Sequence, residues 1–215
     1  MSSWAGIWPP QGVRIAEGDL LLTAVGDEDL PGLVDLALAG IHDPREMPFN
    51  RPWTDEDPAQ LAADMVRHYS GLRAGITPDS FCLRFAVRLG GELVGIQGFD
   101  ADDFAVTRTG ETGSWLGRRF QSRGVGTRMR RAICAFAFDG LGAEQITSSA
   151  FLDNPASLAV SARVGYRPDG LQRLRRRPGE LAVRQRLVLT PDTFVRGAPV
   201  EVTGLAPLLT FLELA

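Results

Sequence analysis

The 215-residue sequence contains no lysine, and all 23 of its basic residues are arginines. This absence excludes Schiff-base chemistry, which needs a lysine amine, and the Gly-Lys-Ser/Thr type of phosphate-binding loop. Histidine is nearly absent as well: His42 and His68 are the two present, and they form no metal-ligand pattern with cysteine or carboxylate residues. The sequence therefore disfavours a metal site and a histidine-based catalytic triad.

Cysteine is also rare, and long apolar runs are missing. Cys82 and Cys134 share no short spacing and each lies among apolar residues, so we predict buried, unreactive thiols. No stretch of about 18 residues is free of charges and turn formers, which disfavours a membrane-spanning helix. Residues 1–10 lack the charged segment and apolar run of a signal peptide. We expect a cytosolic protein without a membrane partner.

The overall composition is typical of a globular protein, with 44% apolar residues, 23% charged residues and a net charge of −3. An acidic balance provides no overall basic field, so a nucleic-acid partner is disfavoured. Arginines nevertheless cluster between residues 118 and 131 and again at Arg173 and Arg175–Arg177. The second cluster fits either an acidic substrate or partner, or a solvated turn between strands.

Hydrophobic periodicity predicts the element order β-α-α-β-β-β-α-β-α-β, which indicates a mixed α/β fold. Strands are expected at residues 20–25, 81–88, 92–99, 109–117, 145–151 and 181–189. Helices are expected after Asp27, after a capping box of Thr54 and Asp57, over residues 124–141, and from Asn154-Pro155 to Gly165. We expect an N-terminal extension over residues 1–18, one domain over 19–195, and a tail over 196–215 that packs on the domain or forms a homodimer contact.

The most informative segment is 114–127, where a predicted strand ends, an arginine-rich loop follows, and Gly124 and Gly126 open a long amphipathic helix. Helix N-termini present free N–H groups, and glycines let a phosphate approach the backbone. The segment therefore suits a pyrophosphate or another polyanion, unless the glycines serve only a tight turn. A dinucleotide-binding fold is disfavoured because Met129 occupies the place of its third glycine. The predicted buried face of this helix carries Val125, Met129, Ala132, Ile133 and Phe136, with Arg128, Arg130 and Arg131 off that face.

Two motifs resemble signatures of the GCN5-related N-acetyltransferases (GNAT). Gln121-x-x-Gly124-x-Gly126 resembles their Q/R-x-x-G-x-G/A motif, and the wider segment 115–127 is similar to their ribosomal-protein-alanine acetyltransferase branch. Asn154-x-x-Ser157, followed by Gly165-Tyr166, resembles the second motif of that branch. The resemblance spans residues 20–189. It implies a single GNAT-type α/β domain whose mixed, mostly antiparallel sheet is splayed at the acyl-CoA site.

This resemblance implies the transfer of an acetyl or other acyl group from acyl-CoA, as cosubstrate, to a primary amine that attacks directly in a ternary complex. The acceptor would be a protein N-terminal amine or a small-molecule amine. The residues implied to bind acyl-CoA are Trp115, Leu116, Gly117, Gln121, Arg123, Gly124, Val125, Gly126, Thr127, Asn154 and Ser157. Asn154 fits the role of a helix N-cap equally well.

Two residues are candidates for the proton transfers of this reaction. Related enzymes often carry a glutamate where Glu111 stands, so we hypothesise that it takes the amine's proton; otherwise it is an exposed strand carboxylate. Many relatives place a tyrosine seven residues after the asparagine, as the acid for the thiolate, but that position here is Ser161. Ser157 is then the candidate donor, or a helix-surface serine. Tyr166 is predicted to pack in the core.

The acceptor amine is expected between the first two helices and residues 41–53. The acidic and aromatic side chains there suit a cationic, partly apolar amine, or they cover an edge of the core: Asp43, Glu46, Phe49, Trp53 and Asp55. The alternative to catalysis is an inactive acyl-CoA-binding or partner-binding module of the same fold, which the missing tyrosine supports.

Overall fold

A nine-stranded, mostly antiparallel sheet forms the centre of the protein, and the computed structural model describes residues 4–215. In chain order, the strands are β1 (Arg14–Glu17), β2 (Leu20–Ala24), β3 (Ser80–Leu89), β4 (Glu92–Asp102), β5 (Thr109–Leu116), β6 (Gln145–Phe151), β7 (Arg167–Arg177), β8 (Glu180–Leu189) and β9 (Glu201–Thr203). Their order across the sheet is β7-β8-β6-β5-β4-β3-β2-β1-β9. The predicted mixed, mostly antiparallel α/β fold is confirmed.

The α-helices of the described residues are α1 (Trp4–Ile7), α2 (Leu30–Leu38), α3 (Pro58–Ala74), α4 (Phe104–Thr107), α5 (Val125–Ala135), α6 (Pro155–Val164) and α7 (Leu205–Phe211). Helix α5 continues into a π-helical segment, Phe136–Leu141. Short 3-10 turns lie at Pro9–Gly12, Asp27–Asp29, Trp53–Asp55 and Arg118–Phe120. None of the helices in residues 4–215 is both long and apolar enough to cross a membrane.

Helices α3 and α5 lie on opposite faces of the sheet. Successive side chains of β5 point to opposite sides, so the contacts of two consecutive residues identify the two faces. On one face, the Nε1 of Trp115 donates to the hydroxyl of Tyr69 in α3 at 3.1 Å. On the other, the hydroxyl of the preceding residue, Ser114, accepts from Arg130 of α5 at 2.9 Å. These two sides are named here the α3 face and the α5 face.

The sheet divides between β5 and β6, which pair in parallel. Their pairing covers Thr109–Glu111 on β5 and Gln145–Thr147 on β6. Beyond these residues β5 stays paired with β4 as far as Leu116, while β6 stays paired with β8 as far as Phe151. The two strands therefore diverge, and the opening between them is named here the β5–β6 gap.

Three local predictions are wrong. Arg173 and Arg175–Arg177 lie in β7, paired with β8, and not in a solvated turn. Asp57 alone caps α3, where its Oδ1 accepts from the N–H groups of Ala59 and Gln60, so Thr54 forms no capping box. Arg130 does not lie off the buried face of α5, since it is only 5% exposed.

The segments predicted as extension and tail both reach the sheet. Strand β1 pairs with β2, and β9 pairs with the other edge of β1. In and after α7, Leu208 and Leu212 are fully buried in the core. The tail thus packs on the domain, and a homodimer contact stays a prediction.

Most of the residues predicted to be buried in the core are buried in the structure. Cys134 and Tyr166 are buried, which confirms both predictions. Cys82 is only half-buried, but burial still raises the pKa of its thiol to about 11. At neutral pH both thiols are protonated, since burial raises the pKa of Cys134 to about 11 as well.

Candidate active site

The loop between β5 and α5 presents a row of unpaired backbone donors. After a 3-10 turn, Ser122 and Gly124 adopt left-handed φ angles of 59° and 80°. In the part of the chain that the structure describes, the five N–H groups from Ser122 to Gly126 have no hydrogen-bond acceptor. These donors lie at the positive end of an 11-residue helix. They form a site suited to a phosphate or pyrophosphate.

Gln121 holds this loop in place. Its Nε2 donates to the carbonyl oxygen of Ile41 at 2.6 Å and to that of Leu116 at 2.9 Å. One side chain therefore ties the end of β5 to the segment 41–53. The contacts of this motif residue are structural, and direct binding of acyl-CoA by its side chain stays a prediction.

The arginines around the loop divide into paired and free groups. Arg119 pairs with Glu92 at 2.7 Å, and Arg128 pairs with Glu17 at 3.0 Å. Arg123 is exposed and, among residues 4–215, contacts no acceptor. It follows Ser122, whose N–H is the first of the five free groups. Its charge is therefore available to an anion that binds there.

The second motif lies at the start of α6, which packs along α5. The Oδ1 of Asn154 accepts from the N–H of Ser157 at 3.1 Å, so the N-cap role of Asn154 is observed. Ser157 is half-buried in the first helical turn. Ser161 is only 1% exposed, and its hydroxyl has no partner within the described residues. Ser157 is therefore the more accessible of the two hydroxyls.

An aromatic wall lies on the α3 face, beside the end of β5. Trp115 contacts Trp53 with ring centroids 6.0 Å apart, Trp53 contacts Phe49 at 5.2 Å, and Phe49 contacts His42 at 5.7 Å. Burial raises the pKa of Tyr69, so its phenol stays protonated under the Trp115 indole. These rings make the predicted acceptor region largely apolar.

Two arginines of β7 fix the loop that carries this wall. Arg176 donates to the carbonyl oxygen of Met47 at 3.3 Å, and Arg177 bonds both carboxylate oxygens of Asp55, at 2.7 and 3.0 Å. The hydrogen bonds from Arg177 lower the pKa of Asp55. Segment 41–55, named here the acceptor loop, is thereby fastened to the far edge of the sheet.

The acidic residues of the acceptor loop are mostly neutralised. Asp43 forms a two-pronged pair with Arg45, which lowers the pKa of the Asp43 carboxyl. Asp55 is paired with Arg177, and Glu46 remains exposed. A cationic amine would thus meet few free carboxylates on this loop, and its role in binding the acceptor stays a prediction.

Replacing Arg177 by methionine should loosen the acceptor loop without unfolding the protein. The pair with Asp55 is partly exposed, so solvent screens it and the midpoint of urea unfolding should move only slightly. Trypsin cleavage after Arg45 and Arg51 should become about five times faster, since local opening is governed by local contacts. Arg173→Met on the same strand is the matched control. Equal cleavage of both variants would contradict the fastening role.

Glu111 occupies the point where the strands diverge. It is exposed, lies opposite Asp100 on β4 and Thr147 on β6, and shares the α3 face with Trp115. Asp100 is engaged by the Arg84 guanidinium at 2.8 Å. Within the described chain Glu111 has no ion-pair partner. It is therefore a free carboxylate at the point where the β5–β6 gap begins.

The amino-acid sequence alone does not indicate the roles of Tyr69 and Arg130. Tyr69 fits the apolar stripe of α3, and no neighbouring residue in the sequence indicates its hydrogen bond to Trp115. For Arg130 a signal exists: it follows Gly126 by four residues and precedes Cys134 by four, so the three share one helix face. The described residues hold no His, Cys, Asp and Glu cluster that could bind a metal ion.

The divided sheet and the loop of free donors define an acyl-CoA-type acetyltransferase fold. A family model described as the acetyltransferase (GNAT) domain matches residues 19–167, and the chain belongs to this family. YdaF of Bacillus subtilis, named as a ribosomal N-acetyltransferase, is 31% identical over 117 residues, which are 53% of this chain and 57% of that protein. The chain thus spans little more than half the length of this curated relative.

Solved structures share the fold at low identity. RimJ of Mycobacterium smegmatis, in complex with CoA-disulfide, gives a TM-score of 0.69 at 22% identity and covers 84% of this chain and 86% of that one. RimL, a ribosomal L7/L12 α-N-protein acetyltransferase in complex with coenzyme A, gives 0.63 at 17% identity and covers 82% and 97%. Both bear out the fold of the predicted family branch.

Proposed function

We propose that this protein transfers an acetyl group from acetyl-CoA to the N-terminal amine of a protein substrate. The observation that carries the proposal is the row of free N–H groups from Ser122 to Gly126 beside the β5–β6 gap. Membership of the GNAT family supports an acyl-CoA substrate, and two structures of the same fold, RimJ and RimL, contain CoA.

In this proposal, acyl-CoA lies across the loop with its acyl end in the gap. The free N–H groups and Arg123 bind the pyrophosphate, and the Thr127 hydroxyl adds a donor. The pantetheine arm runs along Trp115–Gly117, because there β5 has lost β6 as its neighbour and can pair with an extended chain. Asn154 reaches the arm through its amide nitrogen, since its oxygen is used by the cap.

The reaction would be a direct acyl transfer. The amine lone pair attacks the thioester carbon, the C–N bond forms, and the C–S bond breaks with its electron pair on sulfur. Glu111 takes the proton that the amine loses, directly or through one water. The N–H of Leu116 is the proposed donor to the thioester oxygen, because Leu116 lies on the part of β5 that no longer pairs with β6.

A protein N-terminus fits the acceptor region better than a polyamine. The aromatic wall offers apolar contacts, while Asp43 and Asp55 already have arginine partners. An N-terminal residue carries one amine and an apolar backbone or side chain, whereas a polyamine needs several free carboxylates. The names of YdaF and RimL, which concern ribosomal proteins, support the same class of acceptor.

Titration calorimetry with acetyl-CoA tests the proposed cofactor site. We expect micromolar binding by the wild type and binding on the order of 10- to 100-fold weaker in Gly124→Glu, because the new carboxylate faces the pyrophosphate. Gly179→Glu is the matched control: both glycines have positive φ and open space where the side chain would start. Equal affinity in the two variants, or no binding by the folded wild type, would refute the site.

One observation favours a second function, an acyl-CoA-binding module without turnover. Ser161 stands where many relatives carry the tyrosine that protonates the thiolate, and its hydroxyl is buried. Release of free CoA in the presence of a panel of short peptides with free N-termini separates the two functions. Turnover above that of the Gly124→Glu variant supports the transferase, and binding without release supports the module.

A further inference from the structure

Arg130 of α5 is a buried cation without an anion. It is 5% exposed, and within residues 4–215 no carboxylate pairs with it. Its Nη1 donates to the hydroxyl of Ser148 at 3.1 Å and its Nη2 to that of Ser114 at 2.9 Å, while Nε is buried with no acceptor. The guanidinium carbon lies 6.0 Å from the centre of the Tyr166 ring.

The position of this guanidinium is defined by its two serines. Ser114 lies on β5 and Ser148 on β6, and each comes after the last residues that pair the two strands, Glu111 and Thr147. A side chain that bonds both serines must span the β5–β6 gap on the α5 face. Arg130 therefore forms part of the floor of the gap.

The buried positive charge of Arg130 has no negative charge beside it among the described residues. A buried ion is strongly destabilising unless an opposite charge compensates it, and two hydroxyls and an aromatic ring compensate it only in part. Another arginine shielded from solvent in this sheet has its carboxylate: Arg84 bonds Asp100. The exception at Arg130 indicates that negative charge is supplied to the gap from outside the chain.

We propose that Arg130 stabilises the CoA thiolate that leaves during acyl transfer. The inference rests on the proposed function, in which the thioester lies in the β5–β6 gap. When the C–S bond breaks, its electron pair goes to sulfur, and the guanidinium balances the new charge across the low-dielectric gap. The thiolate then takes its proton from solvent as CoA departs, a route that needs neither the Ser157 hydroxyl nor a tyrosine at the position of Ser161.

None of the charged and titratable groups described around Arg130 places a negative charge beside it. Tyr166 and Cys134 face it on the α5 face, and burial raises the pKa of both, so they stay neutral. On β5 the carboxylate of Glu111 points to the opposite face. On α6 the side chain of Arg163 is exposed, and β6 carries no titratable residue.

The test compares CoA with desulfo-CoA across about pH 7 to 9, the range below and around the pKa of an ordinary alkyl thiol. If the bound sulfur is held as a thiolate, CoA affinity in the wild type rises with pH, by up to tenfold per unit, until the free thiol itself ionises. Desulfo-CoA has no sulfur and should show no such rise. The difference between the two ligands isolates the thiolate from all other pH effects.

Three variants complete the experiment. In Arg130→Gln the rise should vanish and kcat should fall on the order of 100-fold, with desulfo-CoA binding retained. Arg130→Lys keeps the charge and should keep the rise. Arg131→Gln is the matched control, because its guanidinium donates to the Arg163 carbonyl, away from the gap.

Two results would overturn the inference. One is equal pH dependence of CoA and desulfo-CoA in the wild type, a comparison that needs no variant to fold. The other is a rise that persists in Arg130→Gln. Both leave the proposed function intact if acetyl-CoA still binds and turns over, whereas a wild type that binds no CoA would refute the proposed function as well.

Discussion

Replacing Glu111 by glutamine should lower kcat by about 100- to 10,000-fold, the usual contribution of a general base. Glutamine keeps the size and exposure of the side chain but cannot accept the amine's proton. Because Glu111 is exposed and has no ion-pair partner among the described residues, the change should leave the urea midpoint and the affinity for acetyl-CoA close to those of the wild type.

The matched control is Glu144→Gln, another exposed carboxylate, just before β6. Stopped assays of CoA release with one peptide substrate measure all three proteins. A glutamine variant that retains more than about a third of wild-type turnover would exclude Glu111 as the base and leave the amine to lose its proton to solvent.

The parts of the site with strong local signals could be predicted from sequence. Gly124 opens α5 because its backbone has positive φ, which glycine adopts without strain. Asn154 caps α6 because its side chain reaches the N–H of Ser157 three residues on. These determinants lie within a few residues of each other, so a single sequence contains all the information they need.

Strand β7 could not be predicted in this way. It is the edge of the sheet, with most of its residues exposed, so no alternation of apolar and polar residues marks it. Pro168 and Gly170 resemble turn formers, yet an edge strand tolerates both. Its function in holding the acceptor loop depends on contacts more than 100 positions apart in sequence, such as Arg177 with Asp55.

The burial of Arg130 could not be predicted, for a different reason. Helical periodicity places an arginine on the exposed side by default, since long charged side chains are rarely buried unless paired. Here the neighbours that accept its hydrogen bonds, Ser114 and Ser148, come from two strands that meet only in the folded sheet. A buried charged residue without a compensating partner is the kind of exception that a function explains.

Replacing Gly95 by alanine should lower the free energy of unfolding by about 3 kcal/mol or more, because the new methyl group has no space. A Cβ at Gly95 would overlap the carbonyl oxygen of Trp115 and lie 2.9 Å from the Cα of Leu116. These are backbone atoms, so no side chain can rotate away. The strain must be relieved by moving β5 away from β4 at the residues proposed to bind the pantetheine arm.

Gly113→Ala on β5 is the control, since a Cβ there would meet nothing within 4 Å and alanine forms strands at least as well as glycine. Urea unfolding and acetyl-CoA calorimetry measure both variants. We expect Gly95→Ala to lose stability and CoA affinity together, and Gly113→Ala to keep both. If Gly95→Ala is destabilised yet binds acetyl-CoA as tightly as the wild type, the spacing of β4 and β5 does not set the binding geometry. The pantetheine arm would then have to be held mainly from the start of α6, with Asn154 as its contact.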